Sequence, residues 1–149
     1  MGPLGMGQKP WDLVERTFLF ACDIVRFCRD LAKEPGAPRQ IAAQLLDAGT
    51  SIGANTEEAK GAYSRRDFAA KNSIVLRECR EARFWLKLIL ATQLAPAGRV
   101  APLLVEANEL VGIFTATVRR ARVSLVATVG AFVVLFAVLS VWLNFSLNF

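Results

Sequence analysis

Ser64-Arg-Arg-Asp-Phe-Ala-Ala-Lys-Asn-Ser-Ile-Val-Leu-Arg-Glu-Cys-Arg-Glu-Ala-Arg-Phe-Trp-Leu-Lys-Leu-Ile-Leu90 has the periodicity of one long helix. Phe68, Asn72, Val75, Cys79, Ala82, Leu86 and Ile89 recur at three- and four-residue steps, so they fall on a single face at 3.6 residues per turn. Ser64 and Asp67 have capping-box spacing, which predicts the start, and the run ends near Leu94, before Ala95-Pro-Ala-Gly98. Arg77 and Glu81 are spaced for an i,i+4 ion pair.

Three more segments share this period. From Asp12 to Lys33, Leu13, Thr17, Phe20, Ile24, Phe27 and Leu31 form one stripe, flanked by Val14, Phe18, Ala21, Val25 and Cys28. Glu34-Pro-Gly-Ala-Pro38 breaks it, with Pro38 suited to the first turn of a second helix carrying Ile41, Leu45, Ala48, Ile52, Asn55 and Ala59. Beside that stripe, Ala42, Gly49 and Gly53 are small enough for another backbone to come close. A fourth helix, from about Pro102, shows Leu103, Ala107, Leu110, Phe114, Thr117 and Ala121. Strand-like alternation is absent from the sequence. The expected fold is all-α: an antiparallel up-down-up-down four-helix bundle whose helix 4 continues into a C-terminal hydrophobic helix. Residues 1–10 are expected to be a flexible leader without signal-peptide character, 11–122 the bundle domain and 123–149 a transmembrane helix.

The charge distribution separates bundle from tail. The 149-residue chain has 18 Lys+Arg, 13 Asp+Glu and a formal charge of +5, yet the 27 residues from Val123 to Phe149 carry no charged side chain. That length covers the roughly 20 residues needed to cross a hydrocarbon core. Arg119, Arg120 and Arg122 stand before it, and Trp142 sits near the far interface. The positive-inside bias then puts the bundle in the cytoplasm and the C-terminus outside, as a single-pass protein. The alternative is a further helix packed within an oligomer. Gly130, Ala131 and Ala137 would suit such a seam.

The absence of histidine removes Ser-His-Asp and Cys-His catalysis and His-ligated metals. Cys22, Cys28 and Cys79 match no metal or redox spacing and are expected to be buried thiols in a reducing compartment. Glu57, Glu58, Glu78 and Glu81 offer paired carboxylates, for which ion pairing with neighbouring arginines is the simpler role. No catalytic residue, metal site, cofactor or small-molecule substrate is indicated. Basic residues interleaved with Phe84 and Trp85 between Arg65 and Lys87 suit a phosphate backbone, a solvated, ion-paired face or a subunit contact.

Gly49-Thr-Ser-Ile-Gly-Ala-Asn-Thr-Glu-Glu-Ala59, with Ser64-Arg-Arg-Asp-Phe68, Lys71 and Arg77-Glu-Cys-Arg-Glu-Ala-Arg-Phe-Trp-Leu86, resembles the small bacterial four-helix bundle proteins encoded in intervening sequences of 23S ribosomal RNA genes. The resemblance covers Asp12 to Arg122. It implies ring-like homo-oligomers, pentamers in some members, and no established enzymatic activity. Through a relative, the accessory protein of diversity-generating retroelements, it also implies a basic barrel that works with nucleic acid. On this resemblance Gly49, Ser51, Asn55 and Glu58 are packing or subunit-contact residues. Arg65, Arg66, Lys71, Arg77, Arg80 and Arg83 are the nucleic-acid candidates. Family members usually end near the close of helix 4, so the tail is an addition. The expected function is a non-enzymatic, membrane-anchored homo-oligomer acting as a scaffold, whose partners are itself and the lipid bilayer. The alternatives are a nucleic-acid-binding or protein-binding accessory and, last, a pore of oligomerised C-terminal helices.

Overall fold

Asp12 caps the first helix, its carboxylate accepting the backbone amide of Val14 at 3.0 Å. The computed structural model describes residues 12–147, with side chains described through Val123. Four helices follow: α1 (Leu13–Leu31), α2 (Ala37–Lys60), α3 (Arg65–Ala91) and α4 (Ala97–Leu147). Among the described residues there is no strand. The expected leader, residues 1–10, lies outside the described residues.

The breaks follow from local chemistry. Gly36 turns the chain into α2 at φ +81°, in the left-handed region that glycine enters without a Cβ penalty. Ser64 caps α3 as expected, its hydroxyl accepting the Asp67 amide at 3.0 Å. Helix α3 ends at Ala91 rather than near Leu94, because Gln93 adopts φ +55° and Leu94 donates back to the Ile89 carbonyl at 3.1 Å. Helix α4 starts at Ala97, before the expected Pro102. The Pro96 carbonyl accepts the amides of Arg99 and Val100, and Pro102 sits in the second turn, where its missing N–H leaves only the carbonyl of exposed Gly98 without a helical partner.

All four helices supply the core. Ile24 from α1, Leu45 and Ile52 from α2, Val75, Cys79, Leu86 and Ile89 from α3, and Val100, Ala107, Leu110 and Phe114 from α4 are fully shielded from solvent. Gly49 permits the tightest approach: a Cβ there would lie 2.5 Å from Ile24 Cγ2. Long seams join α1 to α2, α2 to α3 and α3 to α4, whereas α1 and α4 meet sparsely. Ion pairs tie this last seam. Arg16 Nε reaches Glu106 at 2.6 Å and Arg16 Nη2 reaches Glu109 at 2.6 Å, while Arg99 Nη2 reaches Asp30 at 2.9 Å and lies 5.6 Å above the Phe27 ring. Hydrogen bonding to Glu106 raises the Arg16 pKa against the cost of burial, and Lys33, then Arg99, hold the Asp30 carboxyl below its usual range. The start of α1 therefore faces the third and fourth turns of α4 and its end faces the first turn of α4, an up-down-up-down antiparallel bundle.

Within the first part of α4, Ala97–Val123, an 18-residue stretch reaches a mean hydropathy of 1.3, apolar enough by length and composition to cross a membrane. Its Val100, Ala107, Leu110, Phe114 and Val118 are nevertheless buried at helical spacing against the other helices, which is the pattern of a bundle helix. Beyond it the backbone stays helical to Leu147 without a break. The side chains of the expected transmembrane segment past Val123, Trp142 included, lie outside the described residues.

Candidate functional site

The six basic residues singled out on α3 separate into three groups. Arg66, Arg77 and Arg80 are exposed and share one face of α3 with exposed Phe84 and Lys87, a stripe about 32 Å long at 1.5 Å per residue. Phe84 is 56% exposed and meets Trp85 edge-on, with ring centroids 5.0 Å apart. Lys71 leaves the stripe and turns to α2, its Nζ 3.4 Å from Glu58. Arg83 is half-buried, and Arg65 faces α4 across a cleft. Arg77 pairs with its neighbour Glu78, Nη2 to Oε1 at 2.7 Å, and not with Glu81 as its spacing predicts. Glu81 instead accepts the indole Nε1–H of Trp85 at 3.3 Å.

The cleft beside Arg65 lies at the end of the bundle from which α4 continues. Tyr63, Ser64, Arg65 and Phe68 line one side, and Thr117 and Arg120 of α4 line the other, enclosing about 540 Å³. Two guanidinium-bearing side chains distant in sequence thus border one space. Tyr63 is 90% exposed at the tip of the α2–α3 connection. Arg119 and Arg122 are exposed on α4 at the same level. From sequence Arg120 reads only as a membrane flank, and Tyr63 stands out in no pattern, because the α2–α3 turn carries no periodic signal.

The residues quoted for the family resemblance mostly act within the chain. Gly49 packs on Ile24, and Asn55 Nδ2 donates to the Ser51 carbonyl at 2.8 Å along α2. Glu58 joins α2 to α3 through Lys71. Burial pushes the thiols of Cys28 and Cys79 up to about 12, the nearby Glu78 adding to the effect at Cys79, so both are neutral and poor nucleophiles. Cys22 is half-buried. Among the described residues no three His, Cys, Asp or Glu side chains gather in a metal-binding group.

A second concave surface lies between α1 and α2. Phe18, Ala21, Val25, Gly53 and Ala54 line a mainly apolar groove of about 440 Å³, with Phe18 61% and Val25 44% exposed.

The family model described as 23S rRNA-intervening sequence protein matches residues 9–116. A crystal structure of a protein of unknown function from the S23 ribosomal protein family of Bacteroides thetaiotaomicron VPI-5482 is similar to the chain at 29% identity and a TM-score of 0.66. The similarity covers 72% of this chain and 98% of that one. None of the curated proteins matches.

Proposed function

The chain belongs to the 23S rRNA-intervening sequence protein family, and we propose that it is a non-enzymatic, membrane-tethered member: a homo-oligomeric four-helix bundle held at the cytoplasmic face by its own last helix and serving as a scaffold. The observation that carries this proposal is the unbroken passage of α4 from the core, through Arg119, Arg120 and Arg122, into the uncharged sequence that starts at Val123. A helix satisfies its own backbone hydrogen bonds, as a lipid-crossing segment must. The exposed groove around Phe18 and Val25 supports self-association, since burying it against a second copy removes apolar surface from water.

Membrane fractionation of the full chain and of a version ending at Arg122, with the mass of each assembly measured in detergent, tests both halves of the proposal. The full chain is expected in the membrane fraction, resistant to carbonate wash and released by detergent. The shortened chain is expected in the soluble fraction with the same oligomeric mass. A full chain that stays soluble without detergent overturns the tether, and a monomeric mass for both overturns the scaffold.

The exposed α3 stripe favours a second reading, contact with nucleic acid. Arg66, Arg77, Arg80 and Lys87 offer cations along a length that follows a phosphate backbone, and Phe84 offers a stacking surface. Under this reading RNA binding falls steeply between low and physiological salt, and Arg66→Gln with Arg80→Gln flattens the slope by about two charges. The absence of binding at low salt would eliminate it.

A further inference from the structure

We infer that the cleft between the α2–α3 connection and α4 holds the phosphate of an anionic phospholipid headgroup. This inference rests on the tethered reading of the tail, and its basis is the placement of side chains around the cleft.

Three observations converge. First, Arg65 from α3 and Arg120 from α4 border the same space, and paired guanidinium groups match phosphate oxygens with directed N–H donors. The Ser64 hydroxyl, whose oxygen accepts the Asp67 amide, retains its own O–H for a third oxygen. Second, Tyr63 stands almost wholly exposed and Phe68 is 37% exposed at the rim. An aromatic ring with a polar tip has nothing to pack on in water and is at home at headgroup depth. Third, Arg120 precedes Val123 by three residues, about 4.5 Å along the helix axis. If the uncharged segment occupies hydrocarbon, the cleft opens at the level of the phosphates, and Arg119 and Arg122 reinforce its potential. A pure nucleic-acid surface has no need of this coincidence of depth.

The test uses the full chain in phosphatidylcholine bilayers carrying either spin-labelled phosphatidylglycerol or spin-labelled phosphatidylcholine. The immobilised fraction is expected to favour phosphatidylglycerol. Arg65→Gln combined with Arg120→Gln should cut that preference by about 25-fold, the product of the roughly fivefold per arginine that surface electrostatics supplies. Arg65→Lys with Arg120→Lys should restore only part of it, because lysine keeps the charge and loses the planar fork, and Lys87→Gln, on the α3 stripe, should leave it unchanged. Tyr63→Ser should weaken immobilisation of both lipids. Circular dichroism of each variant checks that the bundle is intact. Millimolar inorganic phosphate should not compete, and competition by it would assign the cleft to free phosphate instead. An intact double Gln variant that keeps the full lipid preference overturns the headgroup assignment while leaving the tether standing. A full chain absent from the bilayer overturns both. Displacement of the labelled lipid by short RNA, abolished by the same double variant, would reassign the cleft to nucleic acid.

Discussion

Gly49→Ala will destabilise the bundle by about 1–3 kcal/mol, although alanine is the better helix former by roughly 1 kcal/mol. The reason is the contact with α1. The new Cβ would sit 2.5 Å from Ile24 Cγ2 and 2.9 Å from both Ile24 Cβ and Cγ1, and Ile24 is fully buried in the middle of α1. The methyl cannot be accommodated by turning one flexible tip, so α1 and α2 must separate. Gly112 is the control: a Cβ there meets nothing within 4 Å, and Gly112→Ala should stabilise by about 0.5–1 kcal/mol. Thermal or denaturant unfolding of the two variants reads opposite signs. If Gly49→Ala is neutral or stabilising, the close approach of α1 and α2 is wrong.

Phe114→Ala carries the larger cost, about 3–5 kcal/mol. Phe114 is fully buried and is the largest of the fully enclosed side chains among the described residues, so its removal leaves a cavity that its packed neighbours cannot readily fill. Phe114→Leu should recover more than half of the loss, and unfolding midpoints at constant protein concentration compare the three chains. A cost below about 1 kcal/mol for the alanine variant would show that α4 does not close the core at this level.

Much of this architecture was legible in the sequence, because the signals that carry it are local. The stripe from Asn72 to Ile89, the Ser64 cap and the break at Gly36 each act over a few residues, and the structure places them as the spacing predicts, whereas Phe68 at the head of the stripe is 37% exposed. The errors fell where two local rules compete. The fourth helix is expected from about Pro102, yet it begins at Ala97 because an early proline forfeits only one hydrogen bond. Arg77 has Glu81 at the favourable spacing, but the Trp85 indole occupies Glu81 and the guanidinium turns to Glu78. What sequence could not supply is pairing across large separations. Nothing near Arg16 announces Glu106, and nothing near Arg65 announces Arg120; both juxtapositions exist only once four helices are packed. The candidate site was therefore half visible: its charges were, its assembly was not.

The continuity of α4 fixes a phase. Successive residues on one unbroken α-helix are rotated by about 100° and advanced by 1.5 Å, so the azimuth of the backbone from Val123 to Leu147 is geared to the seat of Phe114 and Leu110 in the core. With no loop or glycine hinge at Arg119–Val123 to absorb a mismatch, the bundle and the segment beyond it turn as one shaft.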